Sequence, residues 1–168
     1  DAPAISVPTP TDGVSETTTG PEATPVVGQL PMLDETTATD PAVGTPAPAI
    51  VGHDLDGNPM TVDFSQPTLL VFVAHWCPHC NAELPRIQAA MADGTLPGDA
   101  QVVLISTAAD DSLVNFPPKQ WLVDKGWTGG PVLDDSVDRR AAGPVANAFG
   151  ANGWPFFVSV GSDGLVKA

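Results

Sequence analysis

The apolar positions of this chain follow two different periods. "TLLVFVAHW" (68 to 76) and "QVVLIST" (101 to 107) are unbroken apolar runs rich in β-branched residues, the pattern of strands buried on both faces. "PFFVSV" (155 to 160) reads as a third strand, followed by a "GSDG" turn into "LVKA". Between the runs the period changes. In "CNAELPRIQAAMAD" the apolar residues Leu84, Ile87 and Met91 recur at helical spacing, with Pro85 inside as a predicted kink. "PKQWLVDKGW" (118 to 127) predicts a second helix, closed by Gly129 and Gly130. "PVLDD" predicts a short strand or turn. "VDRRAAGPVANAFG" predicts a third helix, interrupted near Gly143-Pro144. Ahead of all these, "PAIVGHDLDGNPMTVDF" predicts two short strands turning at Asp56-Gly57-Asn58. Strands alternating with helices imply an α/β sheet with crossover helices.

The 168 residues hold two cysteines, Cys77 and Cys80, at the junction where a buried strand passes into a helix. That placement puts Cys77 at a helix N-terminus, where unpaired N–H groups and the helix dipole favour a thiolate, the species that attacks disulfides. Cys80 lies one turn further on, on the same face and within disulfide reach, so it can resolve a mixed disulfide at Cys77. His79 between them is placed to set positive charge beside Cys77. Other uses of the pair fit less well. Four residues close too short a loop for a stabilising staple. A metal site would draw on Cys77, Cys80, His75 and His79, with no second Cys or His cluster downstream. Haem attachment needs His after the second Cys, where Asn81 stands. "DLDG" lacks the acidic positions and the Glu of a calcium loop.

Charge changes the picture at one end. The net charge of −14 argues against nucleic acid and anionic membrane surfaces as partners. Residues 1 to 47 carry seven acidic residues and no basic one, and are rich in Pro and Thr. Such a segment buries too little apolar surface to offset its ordering entropy, so residues 1–45 are expected to be an acidic linker or tail and residues 46–168 the folded domain. The competing expectation is that "VVGQLPML" (26 to 33) docks on the domain as an extra strand or plug. No 18-residue stretch reads as a membrane-spanning helix. The start at Asp1 rather than Met suggests a processed or trimmed chain.

"WCPHCNAELP" (76 to 85), the "DLDG" hairpin, Ala47-Pro48 and "GWPFF" (153 to 157) together resemble the thioredoxin-fold thiol-disulfide oxidoreductases, in particular the TlpA/ResA-like extracytoplasmic proteins. The Pro-His dipeptide resembles DsbA-type oxidases. The resemblance covers residues 44 to 168. It implies a thioredoxin-like α/β fold, a central mixed sheet flanked by helices with an N-terminal β-hairpin. It implies Cys77 as nucleophile, Cys80 as resolving thiol and Pro155 as a cis-proline facing them. Glu83 would handle the proton of Cys80, while Trp76, Pro78 and Trp154 would contact substrate. The family's buried acid six residues before the first Cys is replaced by Val71, and a bulky Trp154 precedes Pro155 where small residues are usual. The last strand ends about four residues in, where the family adds a helix, so the resemblance implies a truncated chain or one lacking that cover.

The expected activity is exchange of a Cys77–Cys80 disulfide with cysteine-containing protein substrates, leaning towards oxidation of secreted proteins. The protein would be extracytoplasmic, tethered by an anchor outside this chain. It would need no cofactor beyond the disulfide, and would need a redox partner, one that could be membrane-bound. Two other readings stay open: a reductase for cytochrome or metalloprotein maturation, and a Cu/Zn-binding module built on the two cysteines and a histidine. His75 is expected at a strand-end surface, His53 in a loop, Trp121 and Trp127 in the core, and Arg139 and Arg140 as surface charges.

Overall fold

The computed structural model describes residues 26–33, 36–96 and 99–168. Among them seven strands form one sheet: β1 (Val26–Val27), β2 (Ala49–Asp54), β3 (Pro59–Val62), β4 (Thr68–Val73), β5 (Gln101–Thr107), β6 (Val132–Asp135) and β7 (Phe156–Val160). The helices are α1 (Pro78–Ala92), α2 (Pro118–Asp124) and α3 (Pro144–Ala148). The strand order is β1-β2-β6-β5-β4-β7, with β3 paired to β2. β4, β5 and β6 are parallel, and β2 and β7 run antiparallel to them, so the sheet is mixed. This is the thioredoxin-like α/β fold.

β4 and β5 are the central strands, and side-chain alternation divides the core between two faces. Leu70, Phe72, Val103, Ile105 and Leu133 point to the face covered by α3. Val71, Val73, Val102 and Leu104 point to the other, where they meet Cys80, Leu84 and Ile87 of α1 and Trp121 and Leu122 of α2. α1 continues through Pro85 as one helix of 15 residues. The β2–β3 turn is closed by Asp54, whose carboxylate accepts the amides of Asp56 (2.8 Å) and Asn58 (2.9 Å) and the Asn58 side chain (2.9 Å). Gly57 sits there at φ +81°, where a side chain is disfavoured.

Two expectations need correction. Residues 26–33 and 36–45 are not a linker, and the competing expectation of an extra strand holds: β1 pairs with β2, the Leu30 amide donates to the Ala148 carbonyl (2.7 Å), and Leu30 and Ala42 are buried in the core. The expectation for residues 1–25 lies outside the described residues. The third helix is also shorter than the pattern predicts, starting only at Pro144. Gly143 before it is extended (φ −72°, ψ 174°), as a residue preceding proline prefers. Asp135, at the end of β6, caps the helix by accepting the amides of Val145 (2.8 Å) and Ala146 (2.9 Å). A β-carbon at Gly143 would stand 1.8 Å from the Asp135 carbonyl oxygen, so the approach needs glycine.

Candidate active site

The apolar run of β4 ends at Val73, and the chain turns at Ala74, whose carbonyl accepts the Cys77 amide (3.0 Å). Cys77 is then the N-cap of α1, with Pro78 at the first helical position, where a missing N–H costs nothing. The Cys77 sulfur accepts the amide of Cys80 (3.4 Å), as a serine oxygen would at an ordinary cap. The two sulfurs are unbonded. Cys77 keeps 4% exposure and Cys80 none, so an incoming thiol meets Cys77 first. Burial, with the Cys77 sulfur alongside, pushes the Cys80 thiol well above the ordinary range.

Opposite the pair, the Trp154–Pro155 peptide is cis, and the Trp154 carbonyl accepts from the Cys77 thiol (3.3 Å). Trp76 and Trp154 are both half-buried and both pack against the cluster that holds the cysteines. The Trp76 indole donates to the Ala108 carbonyl (2.7 Å), and the Arg140 guanidinium lies 5.0 Å from its ring centroid. Arg140 is also 3.9 Å from Asp110. Pro78 and His79 are exposed on the outer side of the turn. Glu83 is half-buried, and its carboxylate pairs with Arg86 (3.1 Å). No hydrogen bond among the described residues joins it to Cys80, so the structure gives no direct path for the proton role that the resemblance implies.

His75 is a correction. It is 1% exposed, not a surface residue. The Asp110 amide donates to Nε2 (3.0 Å), which places the ring proton on Nδ1, where it donates to the Val114 carbonyl (2.8 Å). Both imidazole nitrogens are thus engaged, and Phe116 meets the ring edge-on at 5.7 Å. It clasps the 108–116 loop to the approach to Cys77. His53 is likewise on β2 rather than in a loop, and is exposed. Trp121 is core, as expected; Trp127 lies beyond the end of α2 and is half-buried.

Sequence reasoning passed over Asn81. Its side chain donates to the Cys77 carbonyl (2.9 Å) and accepts from the Trp121 indole (2.9 Å), fixing α2 to the active-site turn. Asn115 adds a donor to the His75 carbonyl (2.9 Å). A buried tryptophan needs an acceptor, and that was the available signal. Beside this layer a groove of about 410 Å³ runs between the 109–119 and 134–139 segments, with Leu55, Phe116, Lys119, Asp134 and Val137 among its walls. No group of three or more His, Cys, Asp or Glu side chains converges as a metal site among the described residues.

The sequence model of the AhpC/TSA family matches residues 43–166. No curated protein matches the sequence. Among solved structures, a secreted Mycobacterium tuberculosis disulfide oxidoreductase described as homologous to E. coli DsbE is 26% identical, with a TM-score of 0.54 over 70% of this chain and 79% of that one. A thioredoxin-family thiol:disulfide interchange protein from Chlorobium tepidum is 24% identical, with a TM-score of 0.56 over 74% and 83%. The thioredoxin domain of a Bacteroides vulgatus thiol-disulfide oxidoreductase is 22% identical, with a TM-score of 0.54 over 76% and 86%. The last two speak for the fold alone.

Proposed function

Because the chain belongs to the AhpC/TSA family, we propose that this redox enzyme exchanges a Cys77–Cys80 disulfide with cysteine-containing protein substrates outside the cytoplasm. The observation that carries the reading is the division of labour between the sulfurs. Cys77 caps α1, is the one residue of the pair with any exposure, and faces the backbone carbonyl ahead of Pro155. Cys80 is sealed behind it.

In the oxidising direction a substrate thiolate attacks the Cys77 sulfur. The Cys77–Cys80 bond breaks, and its electron pair and one proton settle on Cys80. A second substrate thiolate then attacks its partner sulfur in the mixed disulfide, releasing Cys77 as thiolate and leaving the substrate oxidised by two electrons. Hydrogen bonding to the Cys77 sulfur from the Cys80 amide, and its place at the helix N-terminus, stabilise the thiolate and hence the reduced protein. A stabilised reduced form makes the disulfide more oxidising. The extracytoplasmic setting is supported by the secreted M. tuberculosis neighbour and by the acidic Pro/Thr-rich sequence ahead of the domain. No helix among the described residues is long and apolar enough to cross a membrane. The reductase reading has less support, since Glu83 is engaged by Arg86. The metal-module reading loses a ligand, since both His75 nitrogens are occupied.

The test is a pair of variants. Cys80→Ser should accumulate a mixed disulfide at Cys77 with a reduced, unfolded protein substrate, while Cys77→Ser should form none. Equal trapping by both variants, or by neither, would contradict the reading.

A further inference from the structure

Backbone strain in this domain gathers at one place. Among the described residues three non-glycines have a left-handed backbone: Ala108 (φ +51°), Asn115 (φ +64°) and Arg140 (φ +56°). A residue with a side chain adopts that conformation at a cost in free energy, and keeps it only where its surroundings demand it. All three meet the two residues that precede Cys77. The Ala108 carbonyl accepts the Trp76 indole (2.7 Å), and Asn115 donates to the His75 carbonyl (2.9 Å). The Arg140 guanidinium lies over the Trp76 ring, 5.0 Å from its centroid. The first two close the 108–116 loop onto the active-site turn. Arg140 comes from a different segment, and its placement has no task so far.

Arg140 is held where it is from several sides. Its amide donates to the Ala109 carbonyl (3.2 Å), and its Nε lies 3.9 Å from the Asp110 carboxylate. Arg139 beside it pairs with Asp111 (3.2 Å). Asp110 is fixed in turn: its carboxylate accepts the Ser112 amide (2.9 Å) and hydroxyl (2.6 Å), and its own amide is bonded to His75. Residues 139 and 140 are thus laid on the 108–111 loop, with the guanidinium against the face of an indole whose N–H edge is already bound. A cation at this distance is attracted to the ring face. The ring matters because Cys77 is only 4% exposed. An incoming polypeptide must lie against what flanks the sulfur. Those flanks are Trp76, next to it in the chain, and Trp154, whose carbonyl accepts the thiol. Both tryptophans are half-buried and keep surface for such contact.

We propose that Arg140 is a positioning residue for protein substrates, holding the Trp76 ring as one wall of the approach to Cys77. The inference rests on the exchange chemistry proposed above. Arg140 acts through Trp76, on the docking of the substrate chain and not on the sulfurs. The wall is the same before and during thiol attack, so it favours the bound substrate and the transition state alike. Its loss therefore raises the substrate concentration needed for half-maximal rate and leaves the limiting rate in place. The left-handed backbone at Arg140 is the cost in stability of that placement.

The test is single-turnover oxidation of a reduced, unfolded protein by the full chain in its disulfide form, over a range of substrate concentrations. Arg140→Ala and Arg140→Gly should each raise the half-saturating concentration about two- to fivefold, the range of an exposed cation–π contact. The limiting rate should stay within about twofold of native. Arg140→Lys keeps a cation over the ring and should lie closer to native than either. Glycine suits the left-handed backbone, so Arg140→Gly should unfold at a higher denaturant concentration than Arg140→Ala while losing as much substrate affinity. A folding defect in the alanine variant leaves the decision with the glycine one. In a Trp76→Leu background Arg140→Gly should change nothing further, because its effect passes through the ring. The equilibrium constant with glutathione should change less than about twofold in every Arg140 variant, a shift worth under about 10 mV. Native half-saturation in both variants, or an undiminished effect in the Trp76→Leu background, would overturn the proposal. So would a larger shift in the glutathione equilibrium, which would mean that the charge acts on the sulfurs directly. Trapping of the same substrate at Cys77 by Cys80→Ser, with Arg140 in place, is the control: its failure would overturn the exchange reading and the proposal with it.

Discussion

Asp135 gives the sharpest prediction about stability. It is 1% exposed, it caps α3 through two backbone amides, and burial raises its carboxyl to about 6 in spite of those bonds. Its ordinary value is 3.8. The folded chain therefore holds this proton more tightly than the unfolded chain does. Stability from this group is fully present below pH 3.8, is lost as pH rises through about 6, and is constant above that. The difference, at about 1.4 kcal/mol per pH unit, amounts to about 3 kcal/mol. Asp135→Asn removes the titration and keeps one acceptor for the α3 amides. The assay is urea unfolding of both proteins at half-unit steps from pH 4 to pH 7. Other carboxylates, among them Asp54, Asp63 and Asp93, have lowered values and act in the opposite sense, so the quantity to follow is the native-minus-variant difference. That difference should move against the native chain by about 2 kcal/mol between pH 4 and pH 7, because part of the full effect is already lost at pH 4. A difference constant within about 0.5 kcal/mol, or one that moves in favour of the native chain, would refute the reasoning. It would mean that the α3 amides outweigh burial.

Three further outcomes follow from the packing. Leu30→Ala should cost about 2 to 5 kcal/mol in equilibrium unfolding if residues 26–45 belong to the domain, whereas a linker residue would cost almost nothing. His75→Ala should cost about 3 kcal/mol, because the Asp110 amide and the Val114 carbonyl lose their partners in a buried place; a loss under about 1 kcal/mol, read the same way, would show that the loop finds other partners. Trp121→Phe should cost about 1 kcal/mol and slow glutathione attack on Cys77, since Asn81 loses the donor that orients it; an unchanged rate would separate α2 from the active-site turn.

Much of this was legible in the sequence, and the failures have physical causes. Gln101–Thr107 was readable as a strand because every residue of "QVVLIST" after the first is buried. The Cys-Pro-His-Cys turn was readable because strand, cysteine and helix follow one another without a gap. Residues 26–33 and 36–45 were misread because they dock through a few isolated side chains, such as Leu30 and Ala42, and a few backbone bonds, which leave no period behind. Residues 139–142 are good helix formers, but Pro144 fixes the helix start and Asp135 reaches across from β6 to cap it. His75 looked exposed because the strand ends beside it; what buries it is the 108–116 loop, some forty residues away in sequence. Asn81 and Arg140 carry no motif at all. Their significance comes from the Trp121 indole, the Cys77 carbonyl and the Trp76 ring, which only the folded arrangement brings into view.

The central claim is that Cys77 and Cys80 cycle between dithiol and disulfide as an oxidant of other proteins. Equilibration in glutathione buffers, with alkylation of free thiols as readout, measures it most directly. The account predicts a single two-electron transition near the oxidising end of the known range, about −120 to −180 mV. A transition at or below about −250 mV would contradict the oxidant role, and the absence of any Cys77–Cys80 disulfide would contradict the exchange chemistry altogether.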